Sequence, residues 1–245
     1  MSSLEEVNMS QRFQKDHRLA AVVMTVFLLV FGGLACGAGS KSGAAVPFPL
    51  ASVHLEQNAM DKDLEVVFEA TGGDEGLVEL TVVAPDGRMV VDFKAPESDR
   101  FGIQHFRLES PEPKEVDLLK AAYPEGAYRF SGKAASGAEF TGQSSLSHSL
   151  PAVSTFVNPT AGAEDVPLKG LDLSWGATEA AAFYVLEIEQ DQLKVNLTLR
   201  FPGNVSTFHM PDGFLVPGTE YTMLIGTVDA KENASFVETT FTTAE

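Results

Sequence analysis

The stretch LVPGTEY, residues 215–221, decides the fold: a proline and a glycine form a turn, and Tyr221 opens a segment of alternating apolar residues. The stretch YPEGAY, residues 123–128, repeats this arrangement and again places a tyrosine, Tyr128, four positions after the proline. Proline and glycine favour tight turns, and alternating polarity is typical of a strand buried on one face. The two tyrosines are 93 residues apart, close to the length of a β-sandwich of about 100 residues. The chain is therefore predicted to be all-β, with two β-sandwiches in tandem.

Seven alternating segments follow one another in each half of the chain, which predicts two domains, residues 50–148 and residues 151–245. In the first half, Asp86 and Gly87 separate two such segments, and this pair is a strong hairpin signal because both residues tolerate positive φ. A single helix-like segment, residues 116–123, is predicted to cross between the sheets. The predicted strands are residues 51–58, 64–71, 77–84, 88–93, 103–108, 127–134 and 139–146 in the first half, and 153–157, 171–175, 183–190, 194–201, 205–210, 219–228 and 234–242 in the second.

Three motifs of the second half, taken together, resemble the fibronectin type III pattern over roughly residues 151–243. They are LSW at residues 173–175, YVLEI at residues 184–188 and the turn at residues 215–221. The resemblance implies that Trp175 and Tyr184 fill the core between two sheets and that Tyr221 makes a hydrogen bond at the corner where the chain crosses between them. The first half shares only the turn before Tyr128 and the rhythm of its strands. It is similar, more loosely, to immunoglobulin-like domains.

The N-terminus carries the pattern of an export signal. Residues 1–18 are polar and end in basic side chains, residues 19–31 carry no charge, and small residues surround the single cysteine, Cys36. This arrangement resembles the lipobox of bacterial lipoproteins, which implies a lipid on Cys36. An uncleaved membrane-spanning anchor and ordinary cleavage near Gly37 or Ala38 are the alternatives. Residues 1–36 are thus a signal peptide or anchor, and the remainder is expected to be exported, held at a membrane and exposed to the periplasm or cell surface.

The residues after the signal indicate a tether and acidic, disulfide-free domains. Residues 37–49 have the composition of a flexible linker, and a chain with one cysteine cannot form an internal disulfide. The net charge is -17, and residues 1–36 contribute none of it because their three acids balance three bases. Nucleic acid and anionic lipid headgroups are therefore unfavourable partners, since like charges repel.

The sequence carries no recognisable catalytic or cofactor motif. Four histidines, His54, His105, His148 and His209, are far apart along the chain, whereas a histidine metal site usually leaves ligands a few residues apart. A hydrolase nucleophile elbow and a glycine-rich phosphate loop are also missing from the sequence. We therefore predict no catalytic residue, no metal ligand, no cofactor and no enzymatic activity. Calcium binding by loop carboxylates, with Asp61, Asp63, Glu164 and Asp165 as candidates, stays open.

The leading interpretation is a non-enzymatic, membrane-tethered binding or scaffolding protein of a bacterial cell envelope. Its expected partner is an envelope or extracellular protein, bound by loops at one end of a sandwich or by an exposed edge strand. The alternatives are an accessory carbohydrate-binding protein, which needs exposed aromatic faces, and an enzyme with a site at the domain junction. Converging polar groups with strongly shifted carboxylate pKa values would favour the enzyme.

Overall fold

The computed structural model describes residues 45–95 and 101–245. In these ranges the chain forms sixteen strands joined by turns and loops, and one short helix, α1 (Val116–Ala122). The strands are β1 (Val46–Pro47), β2 (Leu50–Asn58), β3 (Asp63–Thr71), β4 (Leu77–Val83), β5 (Met89–Lys94), β6 (His105–Glu109), β7 (Gly126–Ala134), β8 (Glu139–Leu146), β9 (Phe156–Asn158), β10 (Ala163–Val166), β11 (Asp172–Trp175), β12 (Phe183–Gln190), β13 (Val195–Pro202), β14 (Thr207–His209), β15 (Glu220–Val228) and β16 (Ala234–Thr243). The all-β prediction is confirmed.

The strands form three sheets that build two β-sandwiches. A five-stranded sheet has the order β1-β8-β7-β4-β5, and a three-stranded sheet has the order β14-β11-β9. The third sheet has eight strands: seven run in the order β13-β12-β15-β16-β2-β3-β6, and β10 also pairs with β16. In the first sandwich the five-stranded sheet packs on β2, β3 and β6. In the second, the three-stranded sheet packs on β12, β13, β15 and β16.

One strand joins the two sandwiches into a single sheet. β16 pairs in parallel with β2 over three residues, which places Ala234 opposite Glu56 and Phe236 opposite Asn58. Further along, β16 pairs in parallel with β10. The sequence predicts two domains and leaves the angle between them open, and the structure places them side by side in one sheet. The sequence leaves this open because partner choice between distant strands depends on long-range packing that alternation alone does not encode.

The two cores use the alternate residues that the sequence pattern predicts. Tyr128 is fully buried in the first core, where its ring lies 5.7 Å from that of Phe68. In the second core Trp175 is 3% exposed and Tyr184 is fully buried, and their ring centres are 5.8 Å apart. Edge contacts between aromatic rings add to the stabilisation that comes from burying their area.

The predicted tether, residues 37–49, is too long, because its last residues belong to the first sandwich. Val46 and Pro47 form β1 and pair with Phe140 and Thr141 of β8, and Phe48 lies in the first core with 9% of its surface exposed. Because of Pro47 and Pro49, this segment was predicted to precede the first strand without forming a strand itself. A proline lacks the backbone N–H but is tolerated on an edge strand, where β1 lies.

Several strand limits also differ from the prediction. The segment predicted as residues 103–108 forms strand only over His105–Glu109, and that predicted as residues 205–210 only over Thr207–His209. The strand β10 was not predicted at all. Its four residues, AEDV, carry two adjacent acids and do not alternate, so its strand conformation depends on its pairing with β16.

Both corner tyrosines are anchored by their hydroxyls. The Tyr221 hydroxyl accepts a hydrogen bond of 3.0 Å from the Val216 N–H, while the Tyr128 hydroxyl donates one of 3.1 Å to the Pro124 carbonyl. A buried tyrosine needs such a partner for its polar end. In both copies of the turn a tyrosine hydroxyl makes the anchoring hydrogen bond, but the Tyr221 hydroxyl accepts it and the Tyr128 hydroxyl donates it.

Replacing Tyr221 by phenylalanine should lower the free energy of unfolding by about 1 kcal/mol. The ring would keep its buried position, but the Val216 N–H would lose its partner, and a single hydrogen bond has a net value of about this size. Denaturant unfolding measures the change. An unfolding midpoint equal to that of the wild type would contradict the role assigned to this hydroxyl.

Candidate binding groove at the junction of the sandwiches

The outer face of the eight-stranded sheet, opposite the two cores, runs without a break across both sandwiches. Strand register identifies the residues on this face, because alternate residues point to opposite sides of a sheet. The half contributed by the first sandwich is polar, and the half contributed by the second is largely apolar. On the polar half, the outward-facing residues nearest the junction are Ser52, His54, Glu56, Glu65, Glu69, His105, Arg107 and Glu109. On the apolar half, they are Phe183, Val185, Leu224, Val228, Ala234 and Phe236.

Much of the polar half is buried, although the alternating sequence predicts solvent on that side. Ser52, His54 and Glu56 of β2 are between 2% and 7% exposed, and Glu65 of β3 is 7% exposed. Side chains of the second sandwich, among them Val185 and Val228, line the same groove as His54 and Glu56. Buried polar groups are costly unless they are hydrogen-bonded or paired, so the contacts within this cluster determine whether the junction is stable.

Arg107 is the centre of the cluster. Its side chain is 6% exposed, and its guanidinium bonds to three carboxylates: Glu56 at 2.9 Å, Glu109 at 2.7 Å and Glu69 at 3.4 Å. Burial alone would raise the pKa of Glu56, but the hydrogen bond and charge of His54, together with Arg107, outweigh burial and lower that pKa to about 2. Glu56 is therefore ionised in the folded protein and balanced by the arginine.

A chain of hydrogen bonds continues from Glu56 along β2. His54 Nε2 lies 2.9 Å from Glu56 Oε1, His54 Nδ1 lies 3.2 Å from the Ser52 hydroxyl, and this hydroxyl donates to the Glu232 carboxylate. A serine in contact with a histidine, which in turn contacts a glutamate, is the arrangement of a nucleophile activated by a base. Ser52 is only 2% exposed and does not line the groove, however, and a nucleophile must contact its substrate. The chain connects β2 to the β15–β16 turn, which contains Glu232.

The apolar half is a third small core on the outside of the second sandwich. Val185, Leu224, Val228, Ala234 and Phe236 are all buried there. A Cβ on Gly226 would come within 2.4 Å of the Phe236 ring, so only glycine allows the ring to lie over β15. Buried apolar area of this kind stabilises the sheet by about 25 cal/mol per Å².

Arg200 and Phe183 form the rim of the apolar half. The Arg200 guanidinium lies 3.3 Å from the centre of the Phe183 ring, a cation–π contact. Burial lowers the pKa of Arg200, and the charge of Glu232 acts in the opposite direction. The contact holds a positive charge over an otherwise apolar surface.

A groove with a cavity volume of about 70 Å³ lies where the two halves meet. Residues of both sandwiches line it, so neither sandwich could form it alone. Within the groove, His105 Nε2 is buried without a hydrogen-bond partner and lies 3.8 Å from Glu69 Oε1. The lining residues are His54, Glu56, Glu69, His105, Arg107 and Glu232 on the polar side and Phe183, Val185, Thr198, Leu199, Arg200, Val228 and Ala234 on the other.

Asn233 holds the junction together behind the groove. It is fully buried, and its side-chain oxygen accepts a 2.8 Å bond from the Leu55 N–H. Its amide donates to the carbonyls of Ser147 and Ser149, at 3.1 and 2.8 Å. One side chain thus binds the first sandwich, the connecting segment and the turn before β16. Nearby, the Ser235 hydroxyl donates to the Pro151 carbonyl at 2.7 Å.

Glu65 makes the stability of the junction depend on pH. Burial raises the pKa of Glu65 to about 8, and the charges of Glu109 and Glu56 add to the shift. The folded protein therefore holds this proton more tightly than the unfolded chain, in which the ordinary value is 4.5. The stability contributed by the protonated acid is fully present below pH 4.5 and is lost as the pH rises toward 8.

Replacing Glu65 by glutamine should raise the free energy of unfolding at pH 8 by about 2 to 4 kcal/mol and leave it nearly unchanged at pH 4.5, because the amide resembles the protonated acid. Urea unfolding at both pH values measures the difference. Glu79→Gln, at an exposed position of β4, is the control and should shift neither value by more than about 0.5 kcal/mol. Equal shifts at both pH values would contradict the titration of Glu65.

The aromatic residues predicted to fill the cores lie away from the groove. Trp175, Tyr184, Tyr221 and Tyr128 belong to the two cores, and Cys36 lies outside the described residues. In the described ranges, no helix has the length and apolar character needed to cross a bilayer. The same ranges contain no group of three or more acids, histidines or cysteines placed to hold a metal ion, and this includes the four calcium candidates.

The groove was missed because its residues come from distant segments. His54 and His105 were interpreted as isolated, yet β2 and β6 both pair with β3 and bring them to one face. One signal was present in the sequence: Ser52, His54 and Glu56 occupy successive outward positions of β2 with groups that can bond to one another. A polar series at a spacing of two predicts a polar face, but the sequence contains no sign that the face would be buried.

No family model matches the sequence, and no curated protein matches it. Three solved structures are similar in fold. The FN1–FN3 domains of chicken CNTN1 are 11% identical with a TM-score of 0.37, and the match covers 82% of this chain and 65% of that one, less than two thirds of its length. A two-domain fibronectin type III segment of chicken tenascin is 14% identical, with a TM-score of 0.30 and 79% and 99% coverage. Fibronectin(III)-like modules of Clostridium thermocellum CbhA are 8% identical, with a TM-score of 0.33 and 80% and 91% coverage.

Proposed function

We propose that this protein is a non-catalytic binding module of a bacterial cell envelope, held at a membrane by its N-terminal segment, which binds a protein partner in the junction groove. The observation that carries the proposal is the shared sheet, because pairing of β16 with β2 creates a concave surface lined by both sandwiches. Concave sites with an apolar wall and a few converging polar groups are the usual places where proteins bind ligands.

The groove favours an extended partner segment that carries basic residues between apolar ones. Aliphatic side chains of a partner would contact its apolar side, which includes Val185 and Val228, and the acids Glu69 and Glu232 lie on the opposite side. The net charge of -17 would also attract a basic partner over a longer range. Charge complementarity of this kind increases the rate of association and the specificity of binding.

The bonding of the carboxylates supports binding rather than catalysis. Both oxygens of Glu56 bond to Arg107, and His54 also reaches one of them. The two acids with raised pKa values, Glu65 and Glu187, are not among the residues that line the groove. A general acid or base needs direct access to its substrate.

A carbohydrate-binding role has less support. That role depends on exposed aromatic faces, and the tryptophan and three of the four tyrosines are buried: Trp175 is 3% exposed, and Tyr128, Tyr184 and Tyr221 are fully buried. The aromatic ring at the groove, Phe183, is covered by Arg200.

Two synthetic peptides test whether the groove prefers a basic partner. In one peptide leucine alternates with lysine, and in the other leucine alternates with glutamate. The full chain in detergent should bind the lysine peptide at least about tenfold more tightly. Glu232→Gln should weaken that binding, while Glu220→Gln, at an exposed position of β15, should not. Equal affinity for the two peptides, or equal affinity of the two variants, would overturn the proposal.

A photo-reactive residue in place of Phe183 would identify the natural partner in cells. The control carries the same residue in place of Leu118, which is 61% exposed on α1, away from the groove. A protein captured from the groove position and not from the helix position supports the proposed interface. Recovery of polysaccharide alone would favour the carbohydrate-binding alternative.

Replacing Cys36 by alanine tests the membrane attachment. If Cys36 carries the lipid, the variant should be released from the membrane fraction, since a single small side chain cannot replace acyl chains as an anchor. Fractionation followed by immunoblotting measures the change. Retention of the variant in the membrane would instead indicate that residues 19–36 remain as a spanning helix.

A further inference from the structure

The junction groove is too small to hold more than one side chain of a partner segment. Its cavity volume is about 70 Å³, whereas pockets that enclose a small-molecule ligand usually measure about 300 to 1,000 Å³. An extended segment advances by about 3.3 Å per residue, so its successive side chains cannot all enter this cavity. The residues on either side of the one in the groove must therefore lie on neighbouring surfaces.

Two larger clefts adjoin the groove at the turn between β15 and β16. The β13 cleft has a volume of about 600 Å³ and lies between this turn and the end of β13, where Phe201 and Pro202 line it. The β8 cleft has a volume of about 340 Å³ and lies between the turn and the end of β8, where Ser145 lines it. Glu232 lines the groove and both clefts, so a segment that leaves the groove beside Glu232 can enter either one.

The position of Glu232 is fixed by the turn. The Glu232 N–H bonds to the Asp229 carbonyl at 3.1 Å, and the Asp229 N–H bonds to the Asn233 carbonyl at 3.0 Å, which is the pattern of a three-residue hairpin loop. The last residue of such a loop has positive φ and is usually glycine, and Glu232 has a φ of 70°. A side chain in this conformation persists only where its surroundings hold it. Here the Ser52 hydroxyl donates to the carboxylate and holds it where the groove meets the two clefts.

The β13 cleft shares more of its wall with the groove than the β8 cleft does. Among the described residues, Phe183, Arg200 and Glu232 line both the groove and the β13 cleft, whereas Glu232 alone lines both the groove and the β8 cleft. The Arg200 guanidinium lies over the Phe183 ring, so this stacked pair forms one side of the passage between groove and β13 cleft. The shared wall favours a path from the groove into the β13 cleft.

The charges of the two clefts favour the same path for a basic segment. The β13 cleft carries two acids, Asp229 and Glu232, and one arginine, which gives a net charge of -1. The β8 cleft carries one acid and one lysine, Lys231, which gives a net charge of zero. The Lys231 ammonium donates to the Ser147 hydroxyl at 3.2 Å, so a positive charge lies at this cleft and would repel a basic segment.

We propose that the partner segment runs from the junction groove past Glu232 into the β13 cleft. One of its side chains then fills the groove, and the neighbouring residues lie along the end of β13. The inference rests on the proposed function, because it extends the same binding site. The cleft repeats the chemistry of the groove: Phe201 and Pro202 offer apolar surface, and Asp229 adds an acid to Glu232. A segment in which apolar and basic residues alternate therefore fits both.

Photo-reactive residues at three positions of the full chain in detergent test this path. The ligand is a labelled peptide of about nine residues in which leucine alternates with lysine, about 30 Å long when extended. A photo-reactive residue in place of His105 reports on the groove, one in place of Pro202 on the β13 cleft, and one in place of Ser145 on the β8 cleft. Pro202 and Ser145 are both exposed, so the two cleft positions are matched.

The peptide should be captured at His105 and at Pro202, and about tenfold less at Ser145. Capture at His105 with no capture at Pro202, or with capture at Ser145 equal to or greater than that at Pro202, would overturn the path and leave the groove as the binding site. Absence of capture at His105 would contradict the groove itself and would overturn both proposals.

Asp229→Asn measures the contribution of the β13 cleft to affinity. The Asp229 carboxylate accepts bonds from the Lys231 and Asn233 N–H groups at 2.8 and 3.0 Å, and an asparagine oxygen can accept the same bonds, so the turn is kept while the charge is lost. The variant should bind the nine-residue peptide about three- to tenfold more weakly.

The matched control for this variant is Asp212→Asn. Asp212 also accepts a bond from a backbone N–H, that of Gly170 at 2.9 Å, but it does not line the groove or either cleft. Its replacement should leave the affinity for the peptide unchanged. An affinity that Asp229→Asn does not alter, or that Asp212→Asn lowers to the same extent, would overturn the proposed path.

Discussion

Replacing Asn233 by alanine should lower the free energy of unfolding by about 3 to 5 kcal/mol. The side chain is fully buried and makes three hydrogen bonds, to the Leu55 N–H and to the carbonyls of Ser147 and Ser149. Its removal leaves the buried Leu55 N–H and two partly buried carbonyls without these partners, and each group left unsatisfied in the interior costs about 1 to 3 kcal/mol. Losses that exceed the usual range for one residue are expected where a buried network is broken.

Denaturant unfolding measures this effect, and Asn204→Ala provides the matched control. Asn204 is exposed in the turn between β13 and β14, so its replacement should change the free energy by less than about 0.5 kcal/mol. Because Asn233 binds both sandwiches and the segment between them, its loss should also separate their unfolding into two transitions. A single transition with a shift below about 1 kcal/mol would show that the junction does not depend on Asn233.

Replacing Arg107 by alanine should have a comparable effect, about 3 to 5 kcal/mol. The substitution removes the cation from three carboxylates and leaves Glu56, buried and ionised, without the arginine that bonds to both of its oxygens. Breaking one side of a buried ion pair costs more than the pair contributes, because the remaining charge stays in a medium that solvates it poorly. The loss should shrink when Glu56 is replaced by glutamine in the same chain.

The exposed ion pair of Arg88 and Asp86 supplies the control. The two side chains lie 2.7 Å apart but are 52% and 41% exposed, and solvent screening leaves an exposed ion pair with little net stabilisation. Arg88→Ala should therefore lower the free energy of unfolding far less than Arg107→Ala in the same experiment. Equal losses for the two arginines, or no rescue of Arg107→Ala by Glu56→Gln, would refute the assignment of a buried cluster.

The sequence was informative where the signal was local. Alternating residues predicted most of the strands because each strand buries one face, and the turns before Tyr128 and Tyr221 were visible because proline and glycine favour specific backbone angles. The short segments that escaped prediction, β1 and β10, hold a proline and two adjacent acids, and their strand conformation depends on the strands they pair with.

The candidate groove could not be predicted in the same way. Glu56 and Ala234 lie 178 positions apart in the sequence, and only the parallel pairing of β2 with β16 places them side by side. The polar series Ser52, His54 and Glu56 indicates a polar outer face, which is ordinarily solvated. Its contacts come from distant parts of the chain, Glu232 for Ser52 and Arg107 for Glu56, and no local pattern encodes them.

The parallel pairing of β2 with β16 also has a mechanical consequence. A force that pulls the segment before Leu50 away from the segment after Thr243 acts along both strands in opposite directions. The bonds between them, with those of Asn233 and Ser235, are then loaded together in shear and resist as a group, whereas an antiparallel hairpin pulled from its open end separates one bond at a time. A molecule held at one end against a membrane would thus keep its two sandwiches aligned under tension.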